Sequence, residues 1–577
     1  MRRGGLRERN KPAQVGFGGV IDCHQHIRAE DLSTPEKRQE YAEWTRREMD
    51  RIGIDRFTLM PYPADDLGGT IERNKNTAKL LDEHPDLGYA WVYIDPGWGE
   101  GAVEEFRRAV QEDGFVGLKH HSNRFHHPLS DPVLDPLLSA ADEMDVPVIS
   151  HVTQRTREHR EEVAPYETQT EHVREVAERY PDLDIISGHI GAGGDWERRI
   201  RNLTDLDNVY LDTSGSDCEQ GQIEMAAEYL GVDRLVYGTD GWLLPGIGKL
   251  AGCDLTPEEK AEIGYKFESL VPDHVPNKLE NPKECEAAAV ERFEQYETPR
   301  EEPIVDTNAY LGSWPYREVE GDVEELLDRM DAEGIDRALV SSLDAAHMRN
   351  VPKANHQLFD RVEGHEDRLL PVATVDPTYT KWEENLDECV DRGAVAVKML
   401  PLYHGYALDE GPAEALLEAA AECDLPVILT SVIEDLRKQH PTHKPYGSDE
   451  MFRDRWNPDQ VENIIDLLKG SDVDVVIDNA WASAGQILEE TRSHLDNHWL
   501  RNERHEGDLL FTIDGLFVYY DVQAEQLAEE VGVDHLAFSA QLPFNVVESY
   551  YNYVEHLPVS EDEKDRVRSE NVLSLLD

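Results

Sequence analysis

At 577 residues the chain exceeds what a single hydrophobic core usually organises, and with 39% apolar and 31% charged residues it reads as two folded domains. No run approaches the roughly 20 apolar residues of a membrane span. Residues 1–19 carry basic side chains with no apolar stretch behind them, so a soluble cytoplasmic chain with neither anchor nor signal peptide is expected. The formal charge of −62, from 119 acidic against 57 basic residues spread along the chain, argues against a nucleic-acid partner and for a halophile-type surface suited to concentrated salt.

In chain order, residues 1–17 read as a tail. From 18 to 272, short apolar runs rich in β-branched residues alternate with longer segments of helical period. Strands are expected near Val20-Ile21-Asp22, Arg56 to Met60, Gly88 to Ile94, Val116 to Lys119, Val146 to Ser150, Asp184 to Ser187, Val209 to Leu211 and Arg234 to Tyr237. Eight strand–helix units of this length suit a (β/α)8 barrel, whose functional side chains gather at the C-terminal ends of its strands. A doubly wound open sheet is the alternative, and the lack of a G-x-G-x-x-G after the first strand counts against its dinucleotide version. Residues 273–303, with the helix-like Glu284 to Tyr296 and then Pro299 and Pro303, read as a connector.

From 304 to 577 the first pattern returns. Gly53-Ile54-Asp55-Arg56 recurs as Gly334-Ile335-Asp336-Arg337, and Tyr93-Ile94-Asp95-Pro96 as Thr374-Val375-Asp376-Pro377, both 281 residues on. Val116-Gly117-Leu118-Lys119 recurs as Val395-Ala396-Val397-Lys398, and Asp145 to Ile149 as Asp424 to Ile428, both 279 on. The chain is therefore a tandem duplication of α/β class, two (β/α)8 barrels in series.

The chemistry sits in the first copy. His24 and His26 end strand one, and a spacing of two on an extended segment points both imidazoles to one side. His151 ends strand five, His189 strand six and Asp240 strand eight, so five ligand-type side chains converge on one rim. Neutral imidazoles with a carboxylate match one borderline divalent ion, zinc first, with manganese or iron as alternatives. The six cysteines lie apart with no C-x-x-C pair and read as free thiols.

Ile21-Asp22-Cys23-His24-Gln25-His26, Gly117-Leu118-Lys119, Pro147 to His151, Gly188-His189-Ile190-Gly191 and Tyr237-Gly238-Thr239-Asp240 together resemble the amidohydrolase superfamily. More narrowly, residues 18 to 272 are similar to its amidohydrolase-related branch, which includes aminocarboxymuconate-semialdehyde decarboxylase. The resemblance implies that His24, His26, His151 and Asp240 bind the metal. By the same resemblance His189 hydrogen-bonds the water or the substrate, and Asp240 also transfers the proton.

Lys119 reads three ways: carboxylated and bridging two metals, contacting an anionic substrate group, or filling the barrel mouth. His121, Arg124, His126 and His127 crowd the next loop, where barrel enzymes carry specificity residues. Arg28, Tyr62, Trp98, Arg155 and Trp242 lie just past strand ends and suit a small substrate with a carboxylate and a planar part, against ordinary loop packing. Gly191 to Gly194 reads as a tight turn near the metal, with a phosphate-cradling nest as the alternative.

In the second copy His24 becomes Asn308, His26 Tyr310, His151 Thr430, His189 Asn479 and Asp240 Gln541, so every metal ligand is lost while Lys398 stays. The second barrel reads as scaffold or pseudo-dimer partner, or as a polar pocket for an effector. The activity expected is hydrolysis of an amide, ester or lactone of a small carboxylate-bearing molecule. Nonoxidative decarboxylation or hydration is the alternative, and a non-catalytic metal-binding or structural double barrel the third reading. Association of the whole chain with itself stays open.

Overall fold

The computed structural model describes residues 19–27, 32–154, 165–191, 194–296, 302–319, 321–434, 438, 456–480, 483–492, 505–514 and 522–576. The expected tail, Arg28 and Arg155, and part of the Gly191 to Gly194 turn lie outside the described residues.

The first barrel runs through β1 (Val20–Ile27), β2 (Ile54–Pro61), β3 (Gly88–Ala90), β4 (Val92–Tyr93), β5 (Leu118–His120), β6 (Val148–His151), β7 (Ile185–Gly188), β8 (Val209–Asp212) and β9 (Leu235–Val236). β3 and β4 are halves of one barrel strand. Trp91 between them donates its backbone N–H to Leu59 O at 2.9 Å, while Val92 N–H turns the other way to Gly117 O at 2.8 Å. The ring is closed by Cys23 N–H to Tyr237 O at 3.0 Å.

The second barrel is one eight-stranded sheet in sequence order. Its strands are β10 (Val305–Leu311), β11 (Arg337–Ser342), β12 (Leu369–Thr374), β13 (Ala396–Met399), β14 (Val427–Leu429), β15 (Val475–Ile477), β16 (Leu509–Ile513) and β17 (Leu536–Phe538). The pairings are parallel, as crossover helices require, for example Leu118↔Val148 and Val397↔Val427. The eight strands expected in the first copy are each present, and the tandem-barrel reading stands.

The repeated tetrapeptide has a physical meaning. Helix Pro35–Ile52 starts on Thr34, whose hydroxyl accepts from Lys37 N–H, and ends at Gly53 in the left-handed region with φ 74°. Helix Val323–Glu333 ends in the same way at Gly334, φ 70°. In both copies the glycine stops the helix and the next residues enter the second strand. Both first strands also carry a register shift, between Asp22 and Gln25 and between Asp306 and Ala309, so the bulge beneath His24 persists beneath Asn308.

Asp22 and Asp306 lock this segment to the end of the barrel. Asp22 accepts from His24 N–H at 2.9 Å, Thr239 N–H at 3.1 Å and Thr239 Oγ1 at 2.6 Å. Asp306 accepts from Asn308 N–H at 3.1 Å, Ala540 N–H at 3.1 Å and Leu542 N–H at 3.0 Å. Each is buried, which raises its carboxyl, that of Asp22 to about 7.

The barrels meet through the helices that follow their eighth strands, Leu243–Ala251 and Val547–Glu555. Ser549 Oγ donates to Pro245 O at 3.2 Å and Asn552 Nδ2 to Leu244 O at 3.2 Å. Gly248 sets their approach, because a Cβ there would stand 2.5 Å from the Ser549 Cα. Gly248→Val should therefore lower stability by about 1–3 kcal/mol, the usual cost of overpacking, read as a lower denaturant midpoint. An unchanged midpoint would mean that the helices separate without cost. No helix among the described residues is long and apolar enough to cross a membrane.

Candidate active site

The strand ends of the first barrel bring His24, His26, His189 and Asp240 to one point. Asp240 is the centre: its Oδ1 lies 3.6 Å from His24 Nε2 and 3.4 Å from His26 Nε2, and its Oδ2 lies 3.6 Å from His189 Nδ1. Among the described residues, His24, His189 and Asp240 form the one group of three metal-capable side chains whose ligand atoms all fall within 4.8 Å of one another. His189, expected beside the metal, thus belongs to the tightest group. His151 stands one imidazole further back, its Nδ1 2.8 Å from His189 Nε2 and its Nε2 3.3 Å from Thr153 Oγ1.

Local backbone aims these groups. His189 and Asp240 adopt left-handed conformations, φ 70° and 55°, which cost a residue with a Cβ about 1–3 kcal/mol and turn the side chains into the mouth. Asp240 N–H donates to His24 O at 2.8 Å, tying strand eight to strand one. Gly238 makes room for His24, since a Cβ there would lie 3.0 Å from the His24 Cβ.

Asp212, at the end of β8, organises the imidazoles and was not singled out in the sequence. Its Oδ2 holds His24 Nδ1 at 2.7 Å, and its Oδ1 accepts from His189 N–H at 2.8 Å, Ser214 N–H at 2.9 Å and Ser214 Oγ at 2.5 Å. Burial by itself would raise this carboxyl; the charge and hydrogen bond of His24 with the Ser214 and His189 bonds outweigh it and hold it below the usual carboxylate range. Ser214 Oγ in turn lies 2.9 Å from His189 Nδ1. The strand-end rule that picked out Asp240 applies equally to Tyr210-Leu211-Asp212, which is the signal that could have found it.

Burial, aided by the charge of Lys119, lowers His24 to about 4, and burial first of all lowers His26, His151 and His189 well below the ordinary histidine value. The imidazoles are therefore neutral, with lone pairs to give. Because Asp212 takes the Nδ1 proton of His24, the ring's lone pair is on Nε2, which faces Asp240. The Lys119 ammonium donates to that nitrogen from 2.7 Å, so a positive charge already sits where the donors converge. This chemistry, neutral nitrogens around a carboxylate, fits a divalent cation held by His24, His26 and Asp240 with His189 alongside. Burial lowers Lys119 to about 8 against the pull of Asp240 and Asp212.

The other expected residues divide. His121 is half-buried with its ring stacked on His151, centroids 4.1 Å apart, and its buried Nδ1 has no hydrogen-bond partner among the described residues. Arg124 lies over the Tyr62 ring at 5.6 Å, and Tyr62 stacks on His26 at 4.8 Å. Tyr93, another residue not singled out for the site, faces Tyr62 at 5.9 Å with its buried hydroxyl unpartnered among the described residues. His126 packs on Tyr166 and His127 pairs with Asp131 at 2.9 Å. Trp98 packs against the core, and Trp242 is buried at the start of helix Leu243–Ala251.

In the second barrel Lys398 occupies the corresponding centre. Its Nζ donates to Asn308 Oδ1 and, at 3.1 Å, to Tyr310 OH, and Asn308 Nδ2 donates to Asp478 Oδ2 at 3.2 Å. The lysine is thus common to both barrels, and an amide and a phenol stand around it there in place of the imidazoles.

A family model described as amidohydrolase matches residues 21–266 and again 297–577. Solved structures similar to this chain include a dihydroxybenzoic acid decarboxylase from a Polaromonas species with bound manganese (18% identity, 46% of this chain and 99% of that one, TM-score 0.34). A 5-carboxyvanillate decarboxylase from Sphingomonas paucimobilis (16%, 44% and 98%, TM-score 0.34) and a 4-oxalomesaconate hydratase from Rhodopseudomonas palustris (18%, 45% and 96%, TM-score 0.35) are also among them. No curated protein matches.

Proposed function

Since the chain belongs to the amidohydrolase family, we propose that its first barrel is a metal-dependent hydrolase of an amide, ester or lactone bond in a small carboxylate-bearing molecule. The observation that carries this reading is the Asp240 carboxylate set 3.4 to 3.6 Å from three neutral imidazoles at the strand ends. A divalent cation there would be held by His24, His26 and Asp240, zinc in this reading with manganese or iron able to serve, with His151, the fourth expected ligand, set behind His189; it would supply Lewis acidity that acidifies a water and polarises a carbonyl. Asp240, at 18% exposure the open member of the group, takes the proton of the attacking water and returns it to the leaving group. His189, whose Nδ1 faces Ser214 and Nε2 faces His151 in this structure, hydrogen-bonds the water or the substrate in this reading by exchanging one of those two partners for it.

A second reading, nonoxidative decarboxylation or hydration, is favoured by the ring wall of Tyr62 and Tyr93 with Arg124, which suits a planar carboxylate. Incubating the metal-loaded chain in oxygen-18 water with a panel of aryl lactones, esters, amides and aromatic acids separates the readings. Hydrolysis places one labelled oxygen in the product, whereas decarboxylation releases carbon dioxide. Release of carbon dioxide, or no turnover of any panel member, overturns the hydrolase reading.

His189→Asn tests the assigned role. Turnover should fall by about 10² or more while metal occupancy stays close to that of the parent. Loss of the metal in that variant would place His189 among the ligands, beside His24 and Asp240.

A further inference from the structure

Asp212 and Ser214, which hold His24 and His189, stand at one end of a strap, residues 212–220, whose other end lies against the second barrel. Near its start the strap pairs with the loop that carries His189. Gly191 N–H donates to Ser214 O at 3.1 Å, and Asp217 N–H donates to Gly191 O at 3.0 Å. Gly191 permits this approach, because a Cβ there would lie 2.6 Å from the Asp217 carbonyl oxygen. Lys249, buried in helix Leu243–Ala251, donates to Gly215 O at 3.2 Å.

The second barrel holds the far end. Segment 218–220 pairs with 544–546 in strand fashion: Val546 N–H donates to Cys218 O and Gln220 N–H to Phe544 O, each at 2.9 Å. The Gln220 side chain accepts from Arg329 of helix Val323–Glu333. Phe544 O takes a second bond, from Arg317 Nη2 at 2.9 Å, and Arg317 Nε stands 3.8 Å from Glu219 Oε1. Lys438 Nζ reaches the same Glu219 oxygen at 2.5 Å, and Glu219 Oε2 accepts from Trp196 Nε1 at 2.6 Å. Burial by itself would raise the Glu219 carboxyl; the charges of Arg317 and Lys438 outweigh it and hold it below its ordinary value. Trp196 opens the helix Trp196–Leu203 that follows the His189 loop. Glu219, buried, therefore ties three parts together: the strap, the His189 loop and the second barrel.

We propose that Glu219 and Arg317 are positioning residues for the first barrel's site. Arg317 fixes Glu219 and the end of the strap, and the strap fixes the Asp212 and Ser214 contacts that orient His24 and His189. The second barrel, without metal ligands of its own, thereby completes the first. The inference rests on the reading of His24, His26 and Asp240 as a metal site, where the outer partners of an imidazole set its orientation and its affinity for the ion.

Two measurements on the full chain test this with Arg317→Met and Glu219→Gln: hydrogen exchange of the metal-free protein, read by mass spectrometry, and zinc affinity, read by competition with a chromophoric chelator. Amides 189–191 and 214–217 should exchange about tenfold faster in both variants, while those of β2 keep the parent rate. Zinc affinity should fall by about tenfold, the lower end of the range for a disturbed outer partner. Parent rates at 189–191 and 214–217 in both variants, or parent zinc affinity in both, would overturn the proposal. So would an equal rise in β2, the mark of general destabilisation. A parent chain that takes up no zinc contradicts the metal reading instead, and the exchange result alone then decides the positioning role. A circular-dichroism melt identifies a variant that has not folded, and the other then decides.

Discussion

Replacing His24 and His26 together by alanine should remove the bound metal and abolish turnover, while Asn308→Ala, at the place of His24 in the second barrel, should leave both unchanged. A catalytic zinc-type site needs about three protein donors besides its open position. Without the two imidazoles, Asp240 keeps only His189 nearby, with His151 behind it at 2.8 Å. Asn308 offers a neutral amide already bonded to Lys398 and Asp478, so its loss touches no metal ligand. Elemental analysis of dialysed protein, with circular dichroism to show that the fold persists, is the measurement. A double variant that keeps its metal would contradict the assignment.

The second large effect should come from salt. With 119 acidic residues against 57 basic ones, pairing every base would still leave an excess of 62 negative charges. Most ion pairs that do form are partly exposed, such as Arg46 with Asp86 and Arg179 with Glu175, and exposed pairs contribute little. In molar potassium chloride the screening length is about 3 Å, against about 30 Å at 0.01 M, so self-repulsion is suppressed in the first and nearly unscreened in the second. The chain should stay folded and active in molar potassium chloride and lose both in dilute buffer, followed by the thermal midpoint across a salt series. A higher midpoint in dilute buffer would refute a salt-adapted surface.

The barrel was legible because its strands are short runs such as Val148-Ile149 and Ile185-Ile186, buried on both faces and bounded by turns. The duplication was legible because a helix stop and a strand start recur together, as at Gly53 and Gly334. Residue type and position at strand ends likewise brought His24, His26, His189 and Asp240 into view. What escaped depends on segments far apart in the chain approaching one another. Asp212 acts through His24, 188 residues away, and no local pattern shows which imidazole it will meet. Lys119 could be read three ways because only packing reveals its ammonium against His24 Nε2. Gly248 looks like a weak helix residue until Ser549 of the other barrel lies across it. The break at Trp91 within the third barrel strand is a similar case, arising from a change of hydrogen-bond partner between neighbouring residues.

The central claim is that chemistry resides in the first barrel and that the second has kept the lysine but lost the metal ligands around it. Anomalous diffraction from crystals of the full chain, grown with zinc and collected above and below the zinc edge, tests this most directly. One peak is predicted, about one ion per chain, among His24, His26 and Asp240. A fully occupied peak among Asn308, Tyr310 and Gln541, or none in the first barrel, would contradict it.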